Sequence, residues 1–534
     1  MAPGCHRVFT TALLASPAVA PAAKAYSSVI GLILAATAGR LALGVLLGLG
    51  VDESYACVMG RRLSLSYFDH PPMVFWWAGI STRLAGSESA IAVRVPFIAA
   101  FMLTTWLMYE LGSFLFGERA GLYAAALLNA SLFLSVAAGG WALPDGPLVL
   151  FTAAAALCLA RATIEDRTGT SAGSSALPGP GHERWWLALG VCLGLALLAK
   201  YHGFLLLGGV VLYLTTSRVR ARWLRRWEPY AALSIVAAIF APVLVWNARH
   251  GWASFRFQGG RAVPLETTGG TPLIDSIAGQ AVWTLPWLWL PLLAVLAAAL
   301  WRGPKDAGRW LSVCLGAGPV VVFTLVAALG SRGLPHWEEP GYFMLFPLLG
   351  HAVESASDAW RAWVKPWLWA SGLGIVIVTL ALGAHVQTGW LRPLAPALFA
   401  RGDPTRDLLS WSPVVQQLRS WGFPKPGLLV ATARWDDAAK LALALGPATE
   451  VVCVGQDPRG FAFTRDPRSN LGKDAVLVVR RRPGPEPLVA YASFFDALHA
   501  LGEIPLMRGG FEEVDVSVYV GRGLRAPLPV LQGR

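Results

Sequence analysis

Carboxylates and histidines stand close to the ends of long apolar segments, where they could carry acid–base chemistry. Asp52 and Glu53 follow the first such segment, and Asp69 and His70 lie in the same polar stretch. Acidic groups close to hydrocarbon are costly to keep charged, so they indicate a functional site or a paired cation. A solvated loop at the membrane surface is the alternative interpretation.

Two further charged residues lie at the ends of apolar segments. Asp145 precedes one segment and Lys200 ends another. An aspartate followed by Pro147 also suits the first turn of a helix, and a cation at a helix C-terminus complements the helix dipole. Each residue therefore has a structural explanation when taken alone, whereas a shared side of the membrane favours a common site.

The elements that must position these residues are membrane helices. Of the 534 residues, 55% are hydrophobic and only 14% are charged, against roughly a quarter charged in ordinary soluble domains. The long apolar segments include 27–51, 90–116, 230–246, 282–300 and 366–383. About 20 helical residues cross a bilayer core, so the sequence predicts a polytopic α-helical membrane protein.

The basic residues indicate the orientation in the membrane. The net charge of +12 is concentrated in short loops between apolar segments, and the strongest cluster comprises Arg218, Arg220, Arg222, Arg225 and Arg226. Cytoplasmic loops carry such excess charge, so we interpret it as topology and exclude a nucleic-acid partner. A cytoplasmic N-terminal segment 1–26, favoured over a cleaved signal peptide, gives about eleven spans. Segment 52–89, Asp145, Lys200 and loop 331–341 then share the outer side.

The composition becomes that of a soluble domain near Trp390. Segments 427–432, 450–454 and 475–479 are typical of buried strands, with a helical pattern over 435–445. We therefore expect a membrane domain over 27–389 and a small α/β domain over 390–534 outside the membrane. Six scattered cysteines without a CxxC pair predict neither a zinc site nor a disulfide framework.

Several short runs along the membrane part resemble a known family. They occur in the order DESY (52–55), YFDHPP (67–72), VRVP (93–96), PDGP (144–147), LAKY (198–201), PVLVWN (242–247) and GWASFRFQ (251–258). In this order they resemble the bacterial glycosyltransferase family 39 proteins, relatives of the protein O-mannosyltransferases and of the lipid A aminoarabinose transferase. The resemblance covers nearly the whole membrane part.

The resemblance implies a GT-C fold of about 11–13 transmembrane helices with a catalytic first outer loop. It implies an inverting glycosyltransferase of the EC 2.4 class, located in a bacterial inner membrane with its active site on the periplasmic face. The donor would be a polyprenyl-phosphate sugar, and the acceptor a lipid, glycan or protein, among membrane lipids. By the same resemblance Asp52 is the general base for the acceptor hydroxyl, and Glu53 assists it or supports the loop.

A phosphate is already a good leaving group, so the site needs cations or donors for its charge rather than a strong acid. We predict donor contacts from Tyr67, Asp69, His70 and Lys200, with Arg94, Arg256 and Arg261 as further candidates. His70 departs from the family pattern, which has a lysine there. Asp69 could raise the pKa of His70, or could bind a divalent metal with Asp145. The resemblance implies that no metal or other cofactor is required.

The outer loop SRGLPHWEEPGYF also departs from the family pattern. His336, Trp337, Glu338 and Tyr342, together with Asp145, are our candidates for contacting the sugar or acceptor, and Glu339 adds a further polar group. A belt of interfacial aromatic residues is the alternative for Trp337, because the chain has 24 tryptophans.

A secondary transporter or a lipid flippase-like protein is the alternative function. Transporters tend to show internal repeats and charges near the bilayer midplane. No repeat is evident in this sequence, and its charges stand at the outer ends of apolar segments. The transferase interpretation therefore accounts for more of the residues.

Overall fold

The computed structural model describes residues 19–164, 181–217, 220–261, 272–330, 333–399, 402–464, 467–482 and 487–525. Part of the N-terminal segment 1–26, residues 165–180 of the Gly-, Ser- and Pro-rich loop 161–184, which the sequence predicts as a flexible inner linker, and Arg218 lie outside the described residues. The helices of the membrane part are α1 (Val19–Leu46), α2 (Val51–Gly60), α3 (Met73–Ala85), α4 (Ala90–Phe116), α5 (Glu118–Asn129), α6 (Asp145–Thr163), α7 (Glu183–Ala199), α8 (Gly203–Thr215), α9 (Glu228–Arg249), α10 (Ala253–Gly260), α11 (Pro272–Thr284), α12 (Pro286–Arg302), α13 (Ala307–Ala328), α14 (Glu339–Phe343), α15 (Phe346–Glu354) and α16 (Asp358–Thr388).

Among the described residues, seven helices are long and apolar enough to cross a membrane; they lie in α1, α4, α6, α9, α12, α13 and α16. The other predicted spans fall on shorter or interrupted helices. α5 is followed by a π-helical turn, Phe133–Ala138, and α7 and α8 have 17 and 13 residues. The polytopic helical fold is confirmed, but length and composition alone do not identify eleven full spans.

The polar segment between the first two long helices is itself folded. α2 and α3 form a close helical pair within it, because Gly60 and Gly79 allow the two backbones to touch. A Cβ added at Gly79 would overlap the carbonyl oxygen of Gly60. Pro72 precedes α3 and Gly86 ends it in a left-handed conformation, so the chain between the two helices is tightly constrained. That constraint fixes the positions of Asp69 and His70.

The C-terminal part contains a five-stranded sheet, as the sequence predicted in outline. Its helices are α17 (Leu391–Leu394), α18 (Ser412–Ser420), α19 (Trp435–Leu445) and α20 (Pro487–Tyr491), and its strands are β1 (Leu429–Arg434), β2 (Val451–Asp457), β3 (Ala475–Arg480), β4 (Phe495–Arg508) and β5 (Phe511–Leu524). The strand order is β2-β1-β3-β5-β4. β1 pairs in parallel with β2 and β3, and β5 pairs antiparallel with β3 and β4.

The first three strands and α19 confirm the predicted α/β domain, whereas the β4–β5 hairpin was not predicted. Half of the β4 residues are exposed, and the strand contains Gly502 and Pro505, both of which are depleted in strands. Its pairing depends on β5 rather than on a strong local preference.

The C-terminal domain packs directly on the first outer segment. Helix α19 lies against α2: Lys440 Nζ donates to the carbonyl of Leu49 at 2.7 Å, and Arg61 donates to the carbonyl of Ala442 at 3.0 Å. The rings of Tyr55 and Trp435 meet edge to face, 5.2 Å between centroids. The segment with the predicted catalytic acids is therefore held between the membrane helices and the C-terminal domain.

Candidate active site

The adjacent carboxylates Asp52 and Glu53 have different environments. Glu53 is buried and pairs with Arg94, whose Nε and Nη2 donate to its two oxygens at 2.7 and 2.5 Å. The amides of Gly50 and Ala142 donate to the same carboxylate at 2.9 and 3.1 Å. With four donors on its two oxygens, Glu53 fixes the start of α2. Arg94 takes part in this structural ion pair and is not directed at a ligand.

Asp52 lies in the first turn of α2 and is exposed on one side. Protein encloses its other sides, and this burial, together with the negative charges of Asp69, Asp407 and Glu53, raises the pKa of Asp52 to about 6. Arg459 opposes the increase. A carboxylate with this pKa is ionised at neutral pH and basic enough to accept a proton.

Asp69 belongs to a polar chain that joins the outer loop to the C-terminal domain. Its Oδ1 accepts a hydrogen bond from the hydroxyl of Tyr55 at 3.0 Å, and Tyr55 in turn accepts one from the amide of Gly460 at 3.0 Å. Arg459 Nη1 lies 3.7 Å from Asp69 Oδ2. The side-chain amide of Gln258 donates to the Asp69 carbonyl. Burial is the main cause of the raised pKa of Asp69.

Asp145 and Lys200 meet at the mouth of the helix bundle. Asp145 begins α6 and Lys200 follows the last residue of α7, so two helix ends bring them together. Lys200 Nζ donates to Asp145 Oδ1 at 2.8 Å, and both side chains are buried. Lys200 has two further N–H donors for an anionic ligand. Both residues are thus placed in one site, as the sequence predicted from their common side.

Histidines surround this ion pair. Burial and the charge of Lys200, followed by that of Arg261, lower the pKa of His70 to about 3, with Asp145 opposing. His70 is therefore neutral at pH 7, and the increase in its pKa that Asp69 could have caused does not occur. Nδ1 of His70 and Nε2 of His202 are buried without hydrogen-bond partners among the described residues. Such atoms are suited to accept or donate hydrogen bonds to a ligand.

The remaining predicted donor contacts divide into two groups. Arg261 stacks on Trp337, 4.9 Å from Cζ to the ring centroid, and is close enough to Asp69 and Asp52 to feel their charges. Tyr67 instead donates to the carbonyl of Arg62 at 2.8 Å and packs against Phe75, so it stabilises the conformation of the loop. Arg256 lies on the exposed side of α10. The structure brings Arg261 to the site and gives Tyr67 a structural contact.

The outer loop 333–342 contributes two groups of side chains. His336 stacks on Phe133, and Trp337 lies beside His202, Phe323 and Arg261. Glu338 accepts hydrogen bonds from Ser276 and Gln280, Glu339 accepts one from Thr284, and Tyr342 donates to Gln280. His336 and Trp337 therefore face the site, whereas Tyr342 and the two glutamates hold this loop against α11.

In this structure Asp69 and Asp145, the two carboxylates suggested to bind a divalent metal, contact other side chains. Lys200 occupies one oxygen of Asp145, and Tyr55 and Arg459 approach Asp69. These cationic and hydroxyl neighbours fit an anion-binding site better than a divalent cation. Metal independence stays a prediction.

Three site residues were missed by sequence reasoning. His202 stands two residues after Lys200 and was signalled by that position. Tyr55 stands in the DESY run and was signalled by its position, whereas Arg459 lies in a domain whose sequence carried no chemical motif. Its location depends on docking of the two domains and has no local signal.

Comparisons with known proteins agree with this geometry. A family model described as dolichyl-phosphate-mannose-protein mannosyltransferase matches residues 69–246. The undecaprenyl phosphate-alpha-4-amino-4-deoxy-L-arabinose arabinosyl transferase 2 of Proteus mirabilis is 25% identical over 413 residues, which are 64% of this chain and 71% of that protein. The lipid A galacturonosyltransferase RgtD of Rhizobium johnstonii is 26% identical over 305 residues, 55% of this chain and 58% of that protein.

The fold is that of a solved relative. ArnT from Cupriavidus metallidurans, in its crystal structure bound to undecaprenyl phosphate, superposes with a TM-score of 0.62 at 17% identity. The match covers 92% of this chain and 97% of that one, so it includes both the membrane helices and the C-terminal domain. The helical fold, the family model and the curated relatives together show that this chain is a membrane glycosyltransferase of the GT-C class, resembling the protein mannosyltransferases and aminoarabinose transferases.

Proposed function

We propose that this protein transfers a sugar from a polyprenyl-phosphate donor to an acceptor hydroxyl at the periplasmic face of a bacterial inner membrane. The observation that carries the proposal is the convergence of an accessible carboxylate, Asp52, with the buried Lys200–Asp145 pair and Arg261 around one outer-loop site. The names of the curated relatives, with their undecaprenyl phosphate donors, support the choice of donor.

In this mechanism the acceptor oxygen attacks the anomeric carbon while the bond from that carbon to the phosphate oxygen breaks. Asp52 takes the proton of the hydroxyl, and the anomeric configuration inverts in the single displacement. Lys200 and Arg261 stabilise the charge that collects on the leaving phosphate. His70 and His202, both partly buried with an unpaired ring nitrogen, supply neutral hydrogen bonds to the sugar or phosphate.

Features beside the site suit a lipid-linked substrate. An open groove of about 480 Å³ is lined by Leu63, Leu65, Trp76 and Ile80, on the same loop and helix pair that place Asp69. Leu63, Leu65 and Ile80 are exposed, which costs little free energy next to lipid. Its largely apolar lining, with Ser64 as the polar residue, supports the proposal that the groove receives the polyprenyl chain of the donor.

The acceptor is a lipid, a glycan or a protein, and lipid A is the first to test because one curated relative carries that name. The positive charge of the loops supports the proposed orientation, with the N-terminus in the cytoplasm and the C-terminal domain in the periplasm.

The test uses the purified full-length protein in lipid nanodiscs with synthetic undecaprenyl-phosphate sugars, and with a nucleotide sugar as the control donor. Release of free undecaprenyl phosphate, accelerated by lipid A, is the expected result, with Lys200→Ala strongly impaired. Turnover of the nucleotide sugar alone, or of no undecaprenyl-phosphate sugar across a panel, would contradict the proposal.

A further inference from the structure

The segment Pro458–Thr464 of the C-terminal domain is seated on the catalytic outer loop. Gly460 donates its amide to Tyr55, and a Cβ at Gly460 would overlap the Tyr55 hydroxyl. Phe463 stacks on Phe68 with 5.4 Å between centroids and contacts Trp246 at 5.6 Å. Because glycine is required for this close approach, the contact is specific, and it brings residue 459 beside Asp69.

Arg459 is held in an unusual backbone conformation at this position. Its φ of +43° lies in the left-handed region, which is unfavourable for a residue with a side chain. Its guanidinium stacks on Trp435, 3.8 Å from Cζ to the ring centroid. Stacking and strain together aim a fixed cation toward the outer loop, and strain of this kind is frequent at functional sites.

Among the described residues, the guanidinium of Arg459 makes no tight ion pair. The nearest described carboxylates, Asp69 and Asp457, are both 3.7 Å away, beyond hydrogen-bond distance. Its Nε is buried and has no hydrogen-bond acceptor among the described residues. Arg94 offers the contrast, since it makes hydrogen bonds of 2.5 and 2.7 Å to Glu53. A buried guanidinium donor without an acceptor is expected to receive one from a ligand.

The surroundings of Arg459 indicate the charge of that ligand. Arg459 and Arg261 both lie near Asp69 and are close enough to repel each other. The charges of Lys200, Arg261 and Arg459 all reach His70. Three cations around one histidine favour a group with more than one negative oxygen, and a guanidinium binds phosphate oxygens in a bidentate manner.

We propose that Arg459, carried by the C-terminal domain, is a donor-binding residue whose guanidinium contacts the phosphate of the lipid-linked sugar. This inference rests on the proposed function and assigns the C-terminal domain a part in the active site. Docking of Pro458–Thr464 on the outer loop then completes the site, so the membrane helices alone lack one of its cations.

The experiment measures the affinity of the full-length protein in nanodiscs for undecaprenyl phosphate, the product, and the kinetics with the donor. A charge-assisted hydrogen bond contributes about 1.5–3 kcal/mol, so Arg459→Gln should weaken product binding and kcat/KM by about 10- to 150-fold. Arg459→Lys should recover part of the loss, and methylguanidinium should partly rescue Arg459→Ala. The matched control is Arg62→Gln, because Arg62 also binds this segment, through the Thr464 carbonyl, but is exposed.

A purely structural or positioning role gives a different result. If Arg459→Gln binds undecaprenyl phosphate as tightly as wild type, the phosphate contact is refuted, whether or not turnover falls. If Arg62→Gln loses as much affinity as Arg459→Gln, the loss reflects the domain interface and also refutes the contact. Wild-type protein that binds no undecaprenyl phosphate would refute the proposed function itself, and that outcome is separate from any difference between variants.

Discussion

Replacing Glu53 by Gln should destabilise the protein, although the neighbouring Asp52→Asn should not. Glu53 neutralises Arg94, which is only 1% exposed. A glutamine amide would retain one acceptor oxygen and would turn its NH₂ group toward donors, since Gly50, Ala142 and Arg94 all donate to this carboxylate. The substitution therefore creates both an uncompensated charge and a clash of donors.

The magnitude follows from the partners that remain. Breaking a buried ion pair from one side costs about 3–5 kcal/mol. Arg94 still donates to the carbonyls of Gly44, Leu47 and Gly48, so we expect the lower end, about 3 kcal/mol. At about 2 °C per kcal/mol for a large domain, the unfolding midpoint should fall by roughly 6 °C.

The assay is thermal unfolding of purified variants in one detergent, with residual transferase activity measured below the midpoint. Glu53→Gln with a wild-type midpoint would refute the assignment of Glu53 as a structural anchor. Normal stability combined with complete loss of turnover would return Glu53 to the catalytic role that the sequence had left open.

Three further predictions concern the same site. Because the pKa of Asp52 is raised to about 6 by burial, transfer should fall as pH drops below about 6, and a pH profile of kcat/KM checks this. The folded state holds the Asp52 proton more tightly than the unfolded chain, so this residue lowers the free energy of unfolding as pH rises from about 4 to about 6. Asp52→Asn should therefore be no less stable than wild type at pH 8. Lys200→Gln should lower the free energy of unfolding by about 3–5 kcal/mol, because Asp145 stays buried without its partner. Adding Asp145→Asn should restore the midpoint of thermal unfolding but not the turnover. Gly79→Ala should lower the midpoint and abolish turnover, since its Cβ would overlap the Gly60 carbonyl between α2 and α3; unfolding and transfer assays with Gly86→Asn as an exposed control report the difference.

The sequence predicted the helical membrane fold because long apolar segments have one stable solution in a bilayer, where backbone polar groups must be satisfied within the segment. It predicted the first and last residues of the helices less well, because α5 with its π-helical turn and the short helices α7 and α8 depend on packing against neighbouring helices. The β4–β5 hairpin escaped prediction although Gly509 and Gly510 stand at its turn, because half of the β4 residues are exposed and the strand contains Gly502 and Pro505.

Candidate site residues could be selected where charge stood at the ends of apolar segments, as for Asp52, Asp145 and Lys200. Their pairing could not, because the ion pairs Glu53–Arg94 and Asp145–Lys200 join residues far apart in the chain. No local sequence signal indicated Arg459, because it comes beside Asp69 only when the C-terminal domain docks on the outer loop.

The measurement that tests the central claim most directly is transfer by Asp52→Asn compared with wild type. Both proteins are purified in nanodiscs, matched for unfolding midpoint, and supplied with an undecaprenyl-phosphate sugar and lipid A. Loss of a general base typically costs 10²- to 10⁴-fold, so turnover should fall in that range while binding of undecaprenyl phosphate persists. Turnover within a few-fold of wild type would contradict the assignment of Asp52 as the base and with it the proposed mechanism.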